Sequence, residues 1–269
     1  MTHEKAVERW ISSGGVGVEI GAFDTPIPGL KPFYVDRFAE YAGKPCLANF
    51  WGDACHLPFR PNSLDYVASS HVLEHVANPV AALLEWHRVL VSGGLIYMVV
   101  PDRRYTFDRN RNLSTPQHIW EDYEKNVTQC DGTHIDEFVQ GADWSLYRSD
   151  IPEGGVADDK ADLQSLYTNT IKNGAEINIH FHVFERENLR DLVLLVAQRM
   201  NLSWEILDCR EEFPKSCPNG ILLIIRVRKG IVGKLSSAVN RVLSRLKKSY
   251  VLTSSARPVS ENEELRRRH

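Results

Sequence analysis

The side chains in this sequence that could do chemistry are carboxylates that follow short apolar runs, a glycine beside them, and histidines. Gly21 lies in Glu19-Ile-Gly21-Ala-Phe-Asp24, Asp36 ends Tyr34-Val-Asp36, and Asp53 sits in Gly52-Asp-Ala-Cys-His-Leu-Pro-Phe59. A glycine permits a tight turn and the close approach of a ligand, and an acidic residue ending a second strand can accept both hydroxyls of a ribose. Asp53 could accept the exocyclic amine of adenine. Each aspartate alone could equally cap a turn; in series they suit a nucleoside.

Those residues need elements to carry them. From residue 16 short apolar runs alternate with helical stretches, the sign of a parallel sheet with crossovers. Strands are expected at 16–20, ending at Asp36, at 46–50 and at 64–70. Asn78-Pro79 then starts a helix, with Asn as cap and Pro at the first position, and Ser92-Gly93-Gly94 ends it before a buried strand at 95–100. Residues 102–178 break the regularity. They read as a polar, aromatic, loop-like insertion with one helix from Thr115-Pro116 through Lys125. A helix resumes near Glu187, and strands at 203–207 and 221–227 bring the number to seven. In a doubly wound sheet ligands bind outside the carboxyl ends of the strands, where these polar groups fall.

Composition narrows the class. The chain has 269 residues, 43% hydrophobic and 25% charged, which excludes a mainly disordered or collagen-like protein. A formal net charge of -3 excludes a whole-surface field for nucleic acid, so no nucleic-acid partner is expected. Cys46, Cys55, Cys130, Cys209 and Cys217 form no Cys-x-x-Cys pair and read as reduced. With no signal-peptide pattern in the charged amino-terminal segment, the expectation is a cytoplasmic protein.

Further along, Leu57-Pro-Phe59, Leu64-Asp-Tyr-Val67, His71-Val-Leu-Glu-His-Val76 and Arg88-Val-Leu-Val-Ser-Gly-Gly94 join the three acidic motifs. Together, in this order, they resemble the successive signatures of the class I S-adenosylmethionine-dependent methyltransferases, closely over 16–104 and loosely over 180–228. The resemblance implies a Rossmann-like doubly wound α/β sheet of seven strands whose last is antiparallel. It also implies S-adenosyl-L-methionine as cofactor, held by Glu19, Gly21, Ala22, Phe23, Asp36, Arg37, Asp53, Ala54, Ser70 and His71. The family usually carries Gly-x-Gly-x-Gly after the first strand, whereas this chain has Gly21-Ala-Phe23-Asp-Thr25. Glu-Ile-Gly-Ala with prolines downstream resembles a bacterial branch acting in surface-sugar pathways. The expected reaction is methyl transfer to an oxygen of a small or glycan-like acceptor in polysaccharide biosynthesis. The alternatives are a regulator that kept the fold and lost turnover, and a nicotinamide oxidoreductase, which the lack of a complete Gly-x-Gly-x-x-Gly near the first strand disfavours.

Methyl transfer to a hydroxyl benefits from a base. His75 with Glu74, following the fourth strand, resembles the position of catalytic histidine in some sugar methyltransferases. His118 with Asp122, at i and i+4 within the insertion, is a second candidate and His182 a third. His180-Phe-His182 could look like a metal pair, but no spacing demands that His118, Asp122 or His134 complete it, so no metal is expected. The domain is expected to span 1–228, with 102–178 roofing the acceptor pocket. Residues 229–269 form a basic amphipathic helix and tail, in which 229–248 could contact a membrane surface or a protein.

Overall fold

A computed structural model describes residues 1–11, 13–41, 43–147 and 160–230. After helix α1 (His3–Trp10) the chain lays down β1 (Gly17–Ile20) and β2 (Phe33–Asp36), a small hairpin of β3 (Glu40–Tyr41) and β4 (Lys44–Pro45), then β5 (Phe50–Trp51) and β6 (Leu64–Ser70). Helix α2 (Pro79–Val89) leads to β7 (Leu90–Pro101). The insertion follows with α3 (Pro116–Glu124), α4 (Ile135–Gly141), α5 (Trp144–Tyr147) and α6 (Lys160–Lys172), and the chain returns through α7 (Arg186–Arg199), β8 (Ser203–Phe213) and β9 (Gly220–Arg228). Seven strands form one sheet in the order β5-β2-β1-β6-β7-β9-β8. Its pairs are parallel from β5 to β7, while β9 runs antiparallel to both β7 and β8. This is the expected α/β arrangement with its last strand reversed.

Both faces of the sheet's centre are covered, so β7 and β9 are largely apolar on both sides, while the edge strand β8 is polar and partly exposed. Val18, Ile20, Val67, Ile96, Met98, Leu223 and Ile225 pack on one side against Leu83 and Trp86 of α2 and Leu189, Leu192 and Val196 of α7. Tyr66, Ala68, Tyr97, Val99, Leu222 and Ile224 form the other side with Ala6 and Val7 of α1. The Asn78 side chain accepts the Ala81 N–H at 3.0 Å, and Pro79 takes the first position of α2.

Four expectations change. Ser92-Gly93-Gly94 does not end α2, which stops at Val89, but lies within β7, which starts at Leu90 and not at 95. The third strand is Phe50–Trp51 and not 46–50, because the Cys46 and Leu47 N–H groups donate to Ala39 O beside the hairpin and to Phe23 O in the loop after β1. The insertion is largely helical and has its own core, in which Ile135, Phe138, Val139, Leu163, Ile177, Ile179 and Phe181 are buried. Its helices are short, seven residues in α4, so their periodicity spans barely two turns and reads as loop. Lys229 belongs to the domain and not to a tail: its ammonium donates to Asn62 Oδ1 at 2.8 Å, Arg88 O at 3.1 Å and Leu90 O at 2.7 Å, satisfying carbonyls where α2 ends. The rest of the expected basic helix lies outside the described residues. Among the described residues no helix is long and apolar enough to cross a membrane.

Candidate active site

A cavity of about 310 Å³ opens at the carboxyl ends of β1, β2, β5 and β6. Its volume lies within the range of small-molecule sites. Gly21, Phe23, Asp36, Arg37, Asp53, Ala54, Ser70 and His71 line it, as does His75. Gly21 turns at φ 65°, and its N–H donates to Val35 O at 2.9 Å. A Cβ there would stand 2.7 Å from a Val72 methyl, so the turn also needs the missing side chain. Phe23, where the family pattern has its second glycine, keeps the same left-handed backbone at φ 51°. The turn is thus preserved at a steric cost, and Phe23 adds a ring that meets Tyr41 edge-on at 5.6 Å.

Asp36 is 7% exposed and its Oδ1 accepts the Phe38 N–H at 3.0 Å. Burial raises its pKa, and backbone hydrogen bonds with the nearby Arg37 charge work in the opposite direction. Asp53 Oδ1 accepts the Cys55 N–H at 2.6 Å, fixing the turn from within. Arg37 pairs with Glu176 and Gln129 of the insertion. Gln129 and Asn178 themselves line the cavity, so the insertion supplies part of its wall.

Not every expected residue is there. Glu19 and Ala22 lie outside the lining. Glu19 alternates onto the α1 side of the sheet, and its Oε1 accepts the Ile27 N–H at 2.8 Å, pinning the proline-containing loop after β1. Burial pushes its pKa up to about 7. Glu74 is wholly buried beneath the lining, its carboxyl 3.6 Å from His71 Nδ1 and 3.9 Å from His75 Nε2. Neither of its oxygens has a hydrogen-bond partner, and burial raises its pKa well above the carboxylate range. His71 is pushed down to about 4 and His75 to about 3, in both cases by burial first. Burial thus favours the protonated Glu74 carboxyl and the neutral forms of both imidazoles.

Behind His75 stands a pair with little signal in sequence. The His180 ring meets His75 edge-on at 4.5 Å and its Nδ1 bonds Asp108 Oδ2 at 2.6 Å. Asp108 also binds the fully buried Arg111 at 2.8 Å, which donates in turn to His180 O at 2.8 Å. His118, Asp122 and His182 do not line the cavity; with His134 they form a separate cluster. There Asp122 is held below the usual carboxylate range by His134 and His182 in spite of its burial, while burial brings His182 down to about 4.

Residues 36–98 match the family model of the methyltransferase domain. A demethylmenaquinone methyltransferase of Staphylococcus epidermidis is 49% identical over 45 residues, 17% of this chain and 19% of that protein. A 37.1 kDa protein in a transposon of Streptomyces fradiae is 45% identical over 51 residues, 19% of this chain and 15% of its own length. The chain thus spans about a fifth or less of these curated relatives. Among solved structures, an S-adenosylmethionine-dependent methyltransferase of Thermotoga maritima, described as a possible histamine N-methyltransferase, aligns over 85% of this chain and 88% of its own, with 19% identity and a TM-score of 0.44.

The seven-stranded Rossmann-like sheet has the strand order and single reversed strand that the sequence led us to expect, and the segment from Asp36 into β7 matches a methyltransferase domain. The cofactor that such a methyltransferase domain implies is S-adenosylmethionine. The cavity fits that molecule: rings of Phe23, Phe38 and Tyr41 offer apolar surface for a base, and Asp36 and Asp53 offer acceptors for hydroxyl and amine donors.

Proposed function

We propose that the chain transfers the methyl group of S-adenosylmethionine to a hydroxyl oxygen of a small, glycan-like acceptor, of the kind found in surface-sugar chemistry. The cofactor, when bound, supplies an electrophilic methyl group on a sulfonium. Asp36 accepts from the ribose hydroxyls and Asp53 from the adenine amine, while Gly21 and Phe23 shape the turn against them.

The observation that supports the acceptor reading is the meeting of His75 with Gln129 and Asn178 at one wall of the cavity. An imidazole and two amides give donors and acceptors without charge, which suits the hydroxyls of a sugar. His75 Nδ1 is sealed from solvent while the side chain as a whole is 34% exposed, so in this reading Nε2 is the nitrogen that would receive the acceptor proton. An imidazole brought down to about 3 is always neutral at working pH, yet it is a weak base. Most of the rate must then come from positioning and the exclusion of water. His180, anchored by Asp108, is the positioning residue that fixes the His75 ring.

A regulator that binds cofactor without turnover is the second reading, favoured by the loss of glycine at Phe23 and Thr25. Calorimetry with S-adenosylhomocysteine, followed by mass spectrometry of glycosides incubated with the chain and S-adenosylmethionine, separates the two. Binding with methylated glycoside supports the enzyme. Binding without methylation of any hydroxyl acceptor supports the regulator, and methylation confined to amines or carbon acids overturns the oxygen assignment.

A further inference from the structure

His118 and Asp122 lie one turn apart on α3, His134 closes the turn Gly132–His134, and His182 comes from the extended segment before α7. The fold brings one atom of each to a common point. Around Asp122 Oδ2 stand the Nε2 atoms of His182 at 3.0 Å, His134 at 3.3 Å and His118 at 3.4 Å. The Nε2 atoms of His118 and His134 are themselves 3.1 Å apart. All four ligand atoms lie within 4.8 Å of one another.

Protons alone satisfy this arrangement poorly. If all three imidazoles donate to the one carboxylate oxygen, His118 and His134 direct hydrogens at each other; if one accepts from the other, it no longer donates to Asp122. A cation at the centre takes the lone pairs of all four at once. The spacing is also that of a coordination shell, since ligands at about 2.0–2.1 Å from a tetrahedral ion stand about 3.3–3.4 Å from each other. His134 and His182 are 2% and 0% exposed, whereas the His118 side chain is 44% exposed and leaves a path for an ion to enter. The outer contact that orients ligating histidines is present at His134, whose Nδ1 bonds Thr133 Oγ1 at 2.7 Å.

We infer that His118, Asp122, His134 and His182 bind one divalent transition-metal ion of the zinc type in a tetrahedral site. Three imidazoles and a carboxylate suit zinc better than magnesium or calcium, which take oxygen ligands in larger numbers. Four protein ligands close the shell, so the site is structural: it staples α3, the 132–134 turn and the segment leading into α7. The inference stands apart from the methyl-transfer reading, because none of the four residues lines the cavity.

The test uses the full-length chain, stripped with a chelator and titrated with cobalt(II), then zinc. One equivalent of cobalt should give the intense visible absorption of tetrahedral coordination, zinc should displace it, and zinc should raise the melting temperature. His118→Gln changes a half-exposed ligand, so the variant should fold, as circular dichroism will verify, and should weaken cobalt binding by more than about tenfold. His134→Gln should do the same, while His87→Gln, at a histidine bonded to Trp204, should keep the full signal. Absence of tetrahedral absorption from the parent chain, or its persistence unchanged in folded His118→Gln, overturns the site.

Discussion

Asp36 is already desolvated before any ligand arrives, with one oxygen committed to the Phe38 N–H. Charge-assisted hydrogen bonds are worth about 1.5–3 kcal/mol each, so Asp36→Asn should weaken S-adenosylhomocysteine binding about tenfold or more in calorimetry. Glu19 makes a different kind of prediction. Its carboxyl is 1% exposed and raised to about 7, so between its unfolded value of 4.5 and 7 the native chain binds the proton that the unfolded chain has lost. Stability is then greatest below the unfolded value and falls as pH rises through 7, by of order 3 kcal/mol in all. Denaturant melts from pH 4.5 to 8 should show that fall, and Glu19→Gln should flatten it. His75→Gln should lower kcat by about 10² while cofactor affinity is retained. With His75 near 3, the kcat profile of the parent should carry no histidine inflection between pH 5 and 8; one near 6.5 would reassign the base.

At the scale of elements, the loop after β1 and the start of α2 carry the site between them. Phe23 holds a left-handed backbone that costs about 1–2 kcal/mol for a residue with a side chain. Phe23→Gly relieves that cost and removes a wall of the cavity, so the expected result is near-neutral stability with weaker S-adenosylhomocysteine binding; unchanged binding would free the ring of any role. Helix α2 begins four residues after His75, and its Asn78 cap holds that junction. Asn78→Ala should cost about 1 kcal/mol, read as a lower urea midpoint with unchanged slope.

Across the whole molecule, Arg37 with Gln129 and Glu176 ties the insertion to the end of β2, and Asp108 with Arg111 and His180 ties its start to the segment that leads into α7. The Arg111 side chain is fully buried, so Arg111→Met leaves the Asp108 carboxylate short of a charged partner in a place water does not reach. Removing one member of a buried pair costs about 3–5 kcal/mol. Urea unfolding should show a loss near that size, and hydrogen exchange should locate it in 107–139 and 177–184. Protection that stays high there would mean the insertion holds without this network.

The sequence by itself determined the sheet and most of the polar groups at the strand ends that line its cavity. Strand ends are local: a short apolar run, a breaker and a polar residue lie together in the chain, so Gly21, Asp36, Asp53 and Ser70-His71 could be read in order, as could the Asn78-Pro79 helix start. Glu19 stands outside the cavity lining although its neighbours Ile20 and Gly21 belong to it, because strand alternation turns its side chain to the other face, where it accepts the Ile27 N–H. Only the tertiary structure decided what the insertion brings to the cavity and which of its histidines meet. Gln129 and Asn178 reach the cavity, Asp108 finds His180, and His118, Asp122, His134 and His182 converge through packing of short helices whose apolar pattern is too brief to announce them. Contacts between residues 60 or 72 positions apart leave no trace in local spacing, since what brings them together is burial of a shared core and not the order of the chain.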